Sequence, residues 1–150
     1  MNKQFENKVA VVTGAGGTLC SEIAIRLAEE GATVFLVGRT EDKLTRVADI
    51  IRANGGAAEV YACDVTDKDA IAALAVEVEK KGGCDYLING AGGNNQKAMP
   101  SITKYDPREL EGTLPEGERG LYDIDMEAFE SVLKINTMGT VIPTMEFAKQ

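Results

Sequence analysis

Three glycines follow an apolar, β-branched segment near the start of the chain. The segment Val9–Thr13 is typical of a buried strand, and an amphipathic segment begins a few residues later. The glycines between the two are Gly14, Gly16 and Gly17. Such a turn can bind a phosphate, because N–H groups at a helix N-terminus point outward and the peptide dipoles favour an anion there. We therefore predict that this turn binds the phosphates of a nucleotide.

The glycines are expected to have different roles in the turn. Gly14 is suited to a strained backbone conformation, whereas Gly16 and Gly17 let a phosphate approach the backbone with no Cβ in the way. The spacing is not GxGxxG, since Leu19 stands where the last glycine would fall. A glycine turn that only ends a strand is the alternative interpretation, and the surrounding alternation of strands and helices favours nucleotide binding.

Strand and helix patterns alternate along the first part of the chain. β-branched and apolar runs predict four strands, at residues 9–13, 33–37, 57–62 and about 86–89. Apolar residues at helical spacing predict helices at 21–30 and after the capping residues Thr40 and Thr66. This order indicates an α/β fold with a doubly wound parallel sheet of the Rossmann type. Ligands of such sheets bind beyond the carboxyl ends of the strands, where the strand order switches.

The second part of the chain has a different composition. Residues 90–125 are rich in glycine, asparagine, proline and charged side chains, which predicts a long, structureless loop insertion at about 93–125. Loops of this length are often functional or mobile. Residues 126–150 predict a helix that still runs at Gln150, with a kink or a break at Pro143.

The composition limits the class of protein. The 150 residues suffice for one domain, and a net charge of −8 without a basic tract argues against a nucleic-acid partner. No apolar run is long enough to span a membrane and no signal peptide is evident, so we expect a cytoplasmic protein. The three cysteines form no CxxC motif, which favours reduced thiols. Histidine is absent, which excludes a His-based triad or a His-ligated metal, and we predict no metal site.

The glycine turn resembles the signature TGxxxG[IL]G of the short-chain dehydrogenase/reductase family, which aligns with Thr13–Cys20. Thr18 and Cys20 replace two of the family's glycines, and the Cys20 side chain needs extra room between helix and strand. The resemblance implies that the turn binds a dinucleotide cofactor, NADP or NAD. The cofactor-binding residues that it implies in this turn are Thr13, Gly14, Gly16, Gly17, Thr18 and Leu19.

The resemblance also bears on which cofactor is bound. NAD-preferring relatives carry an acidic residue after the second strand for the ribose 2′-hydroxyl, whereas this chain has Gly38 and Arg39 there. Arg39 can pair with a 2′-phosphate or stack on the adenine, so NADP is favoured over NAD. A solvated surface cation is the alternative interpretation of Arg39.

Two further segments match the family at the ends of later strands. Asp64 and Val65 match its contact with the adenine, and an Asx turn or a helix cap is the alternative for Asp64. The family's NNAG motif lies along the cofactor, and this chain has Gly90 in place of its second asparagine. The residues that match the motif are Asn89, Gly90, Ala91 and Gly92.

Asn136 matches the catalytic asparagine of the family's active-site tetrad, which distorts its helix and holds a water in a proton relay. A polar position without function is the alternative, although asparagine has a poor helix propensity. The serine and the Tyr-x-x-x-Lys pair of the tetrad are missing, since none of the four tyrosines has a lysine four residues later. The resemblance therefore implies a Rossmann-type domain truncated after the fourth strand and the following helix, and inactive as an isolated segment.

A narrower resemblance is to the D-mannonate oxidoreductases of the family, which share the segment from Gly92 to Asp125. It implies interconversion of D-mannonate and D-fructuronate by hydride transfer, in a homo-tetramer of the full-length protein. The residues that it places near the sugar-acid substrate are Asn94, Asn95, Gln96 and Lys97. A solvated loop, another substrate such as gluconate or a polyol, and a non-catalytic NADP-binding sensor or scaffold that ends at Gln150 remain alternatives.

Overall fold

The computed structural model describes residues 3–150 as a four-stranded parallel sheet flanked by helices. The strands are β1 (Val9–Thr13), β2 (Thr33–Gly38), β3 (Ala57–Ala62) and β4 (Tyr86–Ile88). The helices are α1 (Thr18–Glu29), α2 (Glu41–Ala53), α3 (Lys68–Glu79), α4 (Arg108–Glu111) and α5 (Met126–Phe147). All four strands are parallel, and their order β3-β2-β1-β4 confirms the predicted α/β fold. Strands β2 and β3 are added on one side of β1 and β4 on the other, so the strand order switches between β1 and β4.

The central strand β1 packs on both faces of the sheet. All five of its residues are buried, as its continuous apolar run predicts. Ala10 and Val12 pack in one layer with α1 and α2, whereas Val9 and Val11 pack in the other with α3 and α5. Because successive side chains of a strand point to opposite faces, both layers hold β1 in place. The turn that follows β1 therefore starts from a fixed position.

The starts of two helices differ from the predictions. Helix α1 begins at Thr18, three residues before the predicted start, since the apolar pattern cannot register its exposed first residues. Asp67, and not Thr66, caps α3 by accepting the N–H groups of Asp69 and Ala70. Thr66 instead donates its hydroxyl to Asp64 at 2.8 Å. Thr40 precedes α2 but forms no side-chain capping bond.

Helix α5 runs through Pro143 and ends at Phe147, so the predicted break at the proline is absent and the helix does not run to Gln150. Proline removes one backbone hydrogen bond of the helix. The Pro143 ring is fully buried, and its packing compensates for that loss. Within residues 3–150, no helix combines the length and the apolar character that crossing a bilayer requires.

The segment 93–125 is not structureless, contrary to the prediction. It contains α4 and two short 3₁₀ turns, at Gln96–Ala98 and Leu121–Asp123. Ser101 and Arg119 bring its two ends together, because each donates its backbone N–H to the other residue at 2.8–2.9 Å. The Arg108 guanidinium pairs with Asp106 at 2.6 Å and lowers the pKa of that carboxyl to about 2. These contacts are local and polar, so a search for apolar periodicity does not find them.

The cap of α3 yields a stability prediction. Replacing Asp67 with alanine should lower the free energy of unfolding by about 1 kcal/mol, because two N–H groups of the first helical turn lose their acceptor. Urea denaturation followed by circular dichroism measures the change. Thr40→Ala is the matched control, since Thr40 holds the same position before α2 without a capping bond. Equal losses in the two variants would contradict the assignment of the cap.

Candidate cofactor-binding site

A cleft of about 290 Å³ lies beyond the carboxyl ends of the four strands, next to the switch in strand order between β1 and β4. Each strand end contributes a group of lining residues, and Ile135 of α5 completes the wall. The lining residues are Gly14, Gly16, Gly17, Gly38, Arg39, Thr40, Lys43, Leu44, Cys63, Asp64, Val65, Gly90, Ala91, Gly92 and Ile135. The cleft thus occupies the place where doubly wound sheets bind their ligands.

The turn after β1 requires glycine at position 14. Gly14 has a φ of +67°, and a Cβ there would lie 2.5 Å from the Gly90 carbonyl oxygen and 2.9 Å from the Ala91 nitrogen. Any side chain would therefore be strained and would collide with the end of β4. The positive φ agrees with the strained turn expected of Gly14, and the close approach of two strand ends gives a second reason for it.

Gly16 has a structural reason beyond the one predicted. A Cβ on Gly16 would lie 2.9 Å from the Cβ of Lys43, so the missing side chain makes room for the start of α2. Gly17 precedes α1 and donates its N–H to the Gly14 carbonyl at 2.9 Å. The absence of a Cβ at Gly16 therefore serves packing between the turn and α2 as well as access to the backbone.

Several backbone amides of the turn and of the start of α1 have no acceptor in the described part of the chain. Among residues 3–150, the N–H groups of Gly16, Thr18 and Leu19 donate to no protein acceptor. The Leu19 side chain is 73% exposed, and neither Thr18 nor Leu19 lines the cleft with its side chain. What these two positions offer an anion is their backbone N–H groups together with the positive end of the helix dipole.

Thr13 lies beneath the cleft and not in its wall. Its side chain is fully buried, and its hydroxyl accepts the N–H groups of Gly90 at 3.0 Å and Ala91 at 3.1 Å. The same hydroxyl donates to the Ile88 carbonyl at 3.4 Å. Thr13 thus joins the end of β1 to the segment that follows β4, and it positions Gly90 and Ala91, which do line the cleft.

The segment after β2 adds two cations to the cleft. Arg39 lines it as the sequence suggested, and Lys43 lines it one helical turn later. We did not predict Lys43, although its spacing of four residues from Arg39 across the start of α2 is a signal that could have revealed it. A Cβ on Gly38 would lie 3.4 Å from the Leu44 side chain, which is an ordinary van der Waals contact, so packing alone does not require glycine there.

Asp64 serves as a turn residue and also lines the cleft. Its Oδ1 accepts both the N–H and the hydroxyl of Thr66 at 2.8 Å, which is the Asx turn weighed as the alternative. Both hydrogen bonds lower the pKa of the Asp64 carboxyl, and the bond from the Thr66 backbone has the larger effect. The nearby charges of Arg39 and Lys134 lower the pKa further. Among the described residues Oδ2 has no hydrogen-bond partner, so the carboxylate keeps a free acceptor.

Cys63 and Val65 flank this aspartate in the wall of the cleft. Val65 is buried, and Cys63 is half-buried. Burial raises the pKa of the Cys63 thiol to about 11, and the charges of Asp64 and Asp67 add to the shift. The thiol is therefore neutral at physiological pH and acts as a small apolar wall residue.

Asn89 and Asn136 fix the segment after β4 and do not themselves line the cleft. Asn136 donates to the Gly93 carbonyl at 2.7 Å and to the Val132 carbonyl at 2.8 Å, and its Oδ1 accepts the Gly93 N–H at 3.3 Å. Asn89 donates to the Thr144 hydroxyl at 2.9 Å. Both side chains therefore attach the end of β4 to α5.

The four positions expected near a substrate use their polar groups mainly within their own segment. Asn94 accepts the Asn95 N–H at 2.8 Å, and Asn95 accepts the Lys97 N–H at 3.0 Å. The Gln96 carbonyl accepts a hydrogen bond from Arg119 at 2.9 Å. None of these residues lines the cleft. The described residues thus bring together groups suited to a nucleotide, and within them no tyrosine lines the cleft as an acid or base.

Comparison with known proteins identifies the family of this chain. Residues 8–150 match the family model described as short chain dehydrogenase. An uncharacterized oxidoreductase from Haemophilus influenzae is 38% identical over 149 residues, which cover 99% of this chain and 50% of the relative. The chain spans about half the length of the curated relatives that it matches from end to end.

Solved structures show the same fold with cofactors bound. A candidate D-mannonate oxidoreductase from Haemophilus, solved with NAD, has a TM-score of 0.90 and 37% identity over 99% of this chain and 51% of its own. A metagenomic short-chain oxidoreductase in complex with NADP has a TM-score of 0.77 and 31% identity over 97% of this chain and 57% of its own. Since the family match runs from the first strand to the last residue, the chain belongs to the short chain dehydrogenase family.

Proposed function

We propose that this chain binds NAD(P) for an oxidoreductase that acts on a CH–OH group of a sugar acid. The observation that carries the proposal is the cleft at the strand-order switch, whose glycine turn presents unpaired amides to an anion. When bound, the nicotinamide cofactor supplies the hydride chemistry, and the protein supplies binding and orientation. We propose this oxidoreductase activity for the whole protein, of which this chain binds the cofactor.

Each wall of the cleft has a role in this proposal. The amides of Gly16, Thr18 and Leu19 bind the pyrophosphate. The free Oδ2 of Asp64 accepts a hydrogen bond from the adenine amino group, beside Val65. On the opposite side, Asn136 holds the segment 90–93 against the cofactor and acts as a positioning residue, since both ends of its amide contact Gly93.

We further propose that NADP is preferred over NAD. Gly38 offers no carboxylate to bind a ribose 2′-hydroxyl or to repel a 2′-phosphate. Arg39 and Lys43 line the same edge of the cleft, and neither forms an ion pair within the described part of the chain. Both cations are therefore free to bind a 2′-phosphate by charge-assisted hydrogen bonds.

D-Mannonate and D-fructuronate are the proposed substrate and product. The proposal is supported by the likeness to the candidate D-mannonate oxidoreductase over nearly the whole chain. It is also supported by the exposed Asn94, Gln96 and Lys97, which begin the folded segment 93–125 and can bind hydroxyl and carboxylate groups. Another sugar acid or a polyol is the second candidate, because hydroxyl-binding side chains do not by themselves distinguish these substrates.

The proposal extends to location and assembly. The cysteines Cys20, Cys63 and Cys84 are all free, which suits the reducing cytoplasm. Helix α5 exposes apolar surface at Leu133, Met138 and other side chains. A homo-tetramer, as the family resemblance implies, would remove this surface from water.

The cofactor preference is testable by a charge reversal. Arg39→Asp should weaken NADPH binding by roughly tenfold or more relative to NADH, because a carboxylate then faces the 2′-phosphate and a charged hydrogen bond is lost. Lys43→Ala should weaken NADPH binding in the same direction and by less. Fluorescence titration with both cofactors gives the two dissociation constants.

Arg46→Asp is the matched control for this charge reversal. It makes the same change on an exposed position of α2 that does not line the cleft. We expect its ratio of NADPH to NADH affinity to stay within about twofold of the unmodified protein, as exposed distant charges are screened by salt. An unchanged ratio in Arg39→Asp would remove Arg39 from the site.

The substrate proposal is tested by turnover of the complete gene product. D-Mannonate should reduce NADP, and D-fructuronate should oxidise NADPH, with a higher kcat/KM than D-gluconate, xylitol or a simple secondary alcohol. The nicotinamide absorbance follows both directions. Turnover of a polyol above D-mannonate would favour the second candidate. Tight cofactor binding by the complete protein without turnover of any substrate would instead favour a cofactor-binding sensor.

A further inference from the structure

We propose that Cys20 is a positioning residue of the cofactor cleft, and that its thiol and Gly90 form one steric unit. The proposal rests on the proposed function, because it concerns how the cofactor-binding wall is held. Cys20 lies in the first turn of α1 and is only 7% exposed. Gly90 follows β4 and lines the cleft.

The two residues share one space. A Cβ built on Gly90 would overlap the Sγ of Cys20, and it would lie 3.6 Å from the Cys20 Cβ and 2.9 Å from the Thr13 carbonyl oxygen. The cysteine sulfur thus fills the position that any side chain at residue 90 would need. The thiol is buried among apolar residues of the α1 layer, so it cannot turn away into solvent.

The peptide of Gly90 has little freedom to avoid such a collision. Its N–H donates to the Thr13 hydroxyl at 3.0 Å, which fixes it from one side. Its carbonyl oxygen lies 2.5 Å from the position of a Cβ on Gly14, which leaves no space on the next side. A side chain at residue 90 must therefore push Gly90 and Ala91 into the cleft or displace the start of α1, whose amides bind the phosphates in the proposed function.

This geometry unites two departures from the family pattern. Cys20 replaces a glycine and adds volume, whereas Gly90 replaces an asparagine and removes volume. The two changes exchange volume across the same gap, because the Cys20 sulfur occupies the space that a side chain at residue 90 would need. A side chain at residue 90 should therefore be better tolerated when the Cys20 thiol is removed.

A double-mutant cycle tests the proposal on the complete protein. Gly90→Ala should weaken NADPH binding by roughly tenfold or more, because the added methyl group meets Sγ. Cys20→Gly should weaken it by no more than about threefold. The double variant Cys20→Gly/Gly90→Ala should bind more tightly than Gly90→Ala and less tightly than Cys20→Gly, since the overlap with Sγ is gone but the 2.9 Å approach to the Thr13 carbonyl still requires a shift of the backbone.

Cys84→Gly is the matched control for loss of a thiol, since Cys84 is half-buried outside the cleft. Its NADPH dissociation constant should be unchanged even where its unfolding midpoint falls. Urea unfolding of every variant separates lost stability from lost binding. Rescue of binding by the second substitution is an outcome that a general loss of stability does not produce.

Two results would overturn the proposal: Gly90→Ala binding NADPH as tightly as the unmodified protein, or a double variant no better than Gly90→Ala alone. A different result identifies failure of the proposed function. If the unmodified protein binds neither NADPH nor NADH, the proposed function is wrong, and neither Cys20 nor Gly90 positions a cofactor. The unfolding midpoints would then still decide whether residues 20 and 90 share one space, because the steric coupling does not need a ligand.

Discussion

The whole site depends on the close approach of two strand ends. The segment after β1 and the segment after β4 meet with no space for a side chain at Gly14 or Gly90. The buried Thr13 hydroxyl joins them through the N–H groups of Gly90 and Ala91. Because β1 is buried on both faces, this contact is fixed by the core, and both sides of the cleft inherit its position. Burial of a threonine is tolerated here because its hydroxyl is fully hydrogen-bonded.

The wall after β4 is held at several independent points. Thr13 holds its start, Asn136 of α5 holds Gly93 through two hydrogen bonds, and Asn89 joins Thr144. A Cβ on Gly92 would lie 2.7 Å from the Asn136 oxygen, so the helix and the wall are in close contact. A wall fixed in this way is already formed before a ligand arrives, and binding then costs less conformational entropy. Asn136 therefore stabilises this wall of the cleft, independently of any role in proton transfer.

Much of the fold and the backbone of the site could be predicted from the sequence. β1 and β3 have the predicted bounds, because apolar runs between turn residues are local signals. Contacts between residues far apart in the chain leave no such local pattern in the sequence. The Lys43 stem over Gly16 and the Cys20 thiol against Gly90 depend on how two turns pack, which residue spacing alone does not encode. The fold of residues 93–125 was missed because polar contacts such as Ser101–Arg119 order it without an apolar pattern.

The chain has a negative net charge, whereas one edge of the cleft carries two positive side chains. A net charge of −8 argues against binding a long polyanion, whose many phosphates sample the whole surface. A dinucleotide samples only the groups within a few ångströms, since salt screens exposed charges beyond about 10 Å. At that range the cleft presents Arg39 and Lys43, while Asp64 already accepts two hydrogen bonds from Thr66 at one of its oxygens. An acidic protein can therefore bind a small phosphorylated ligand tightly, because the local cations and free amides set the interaction.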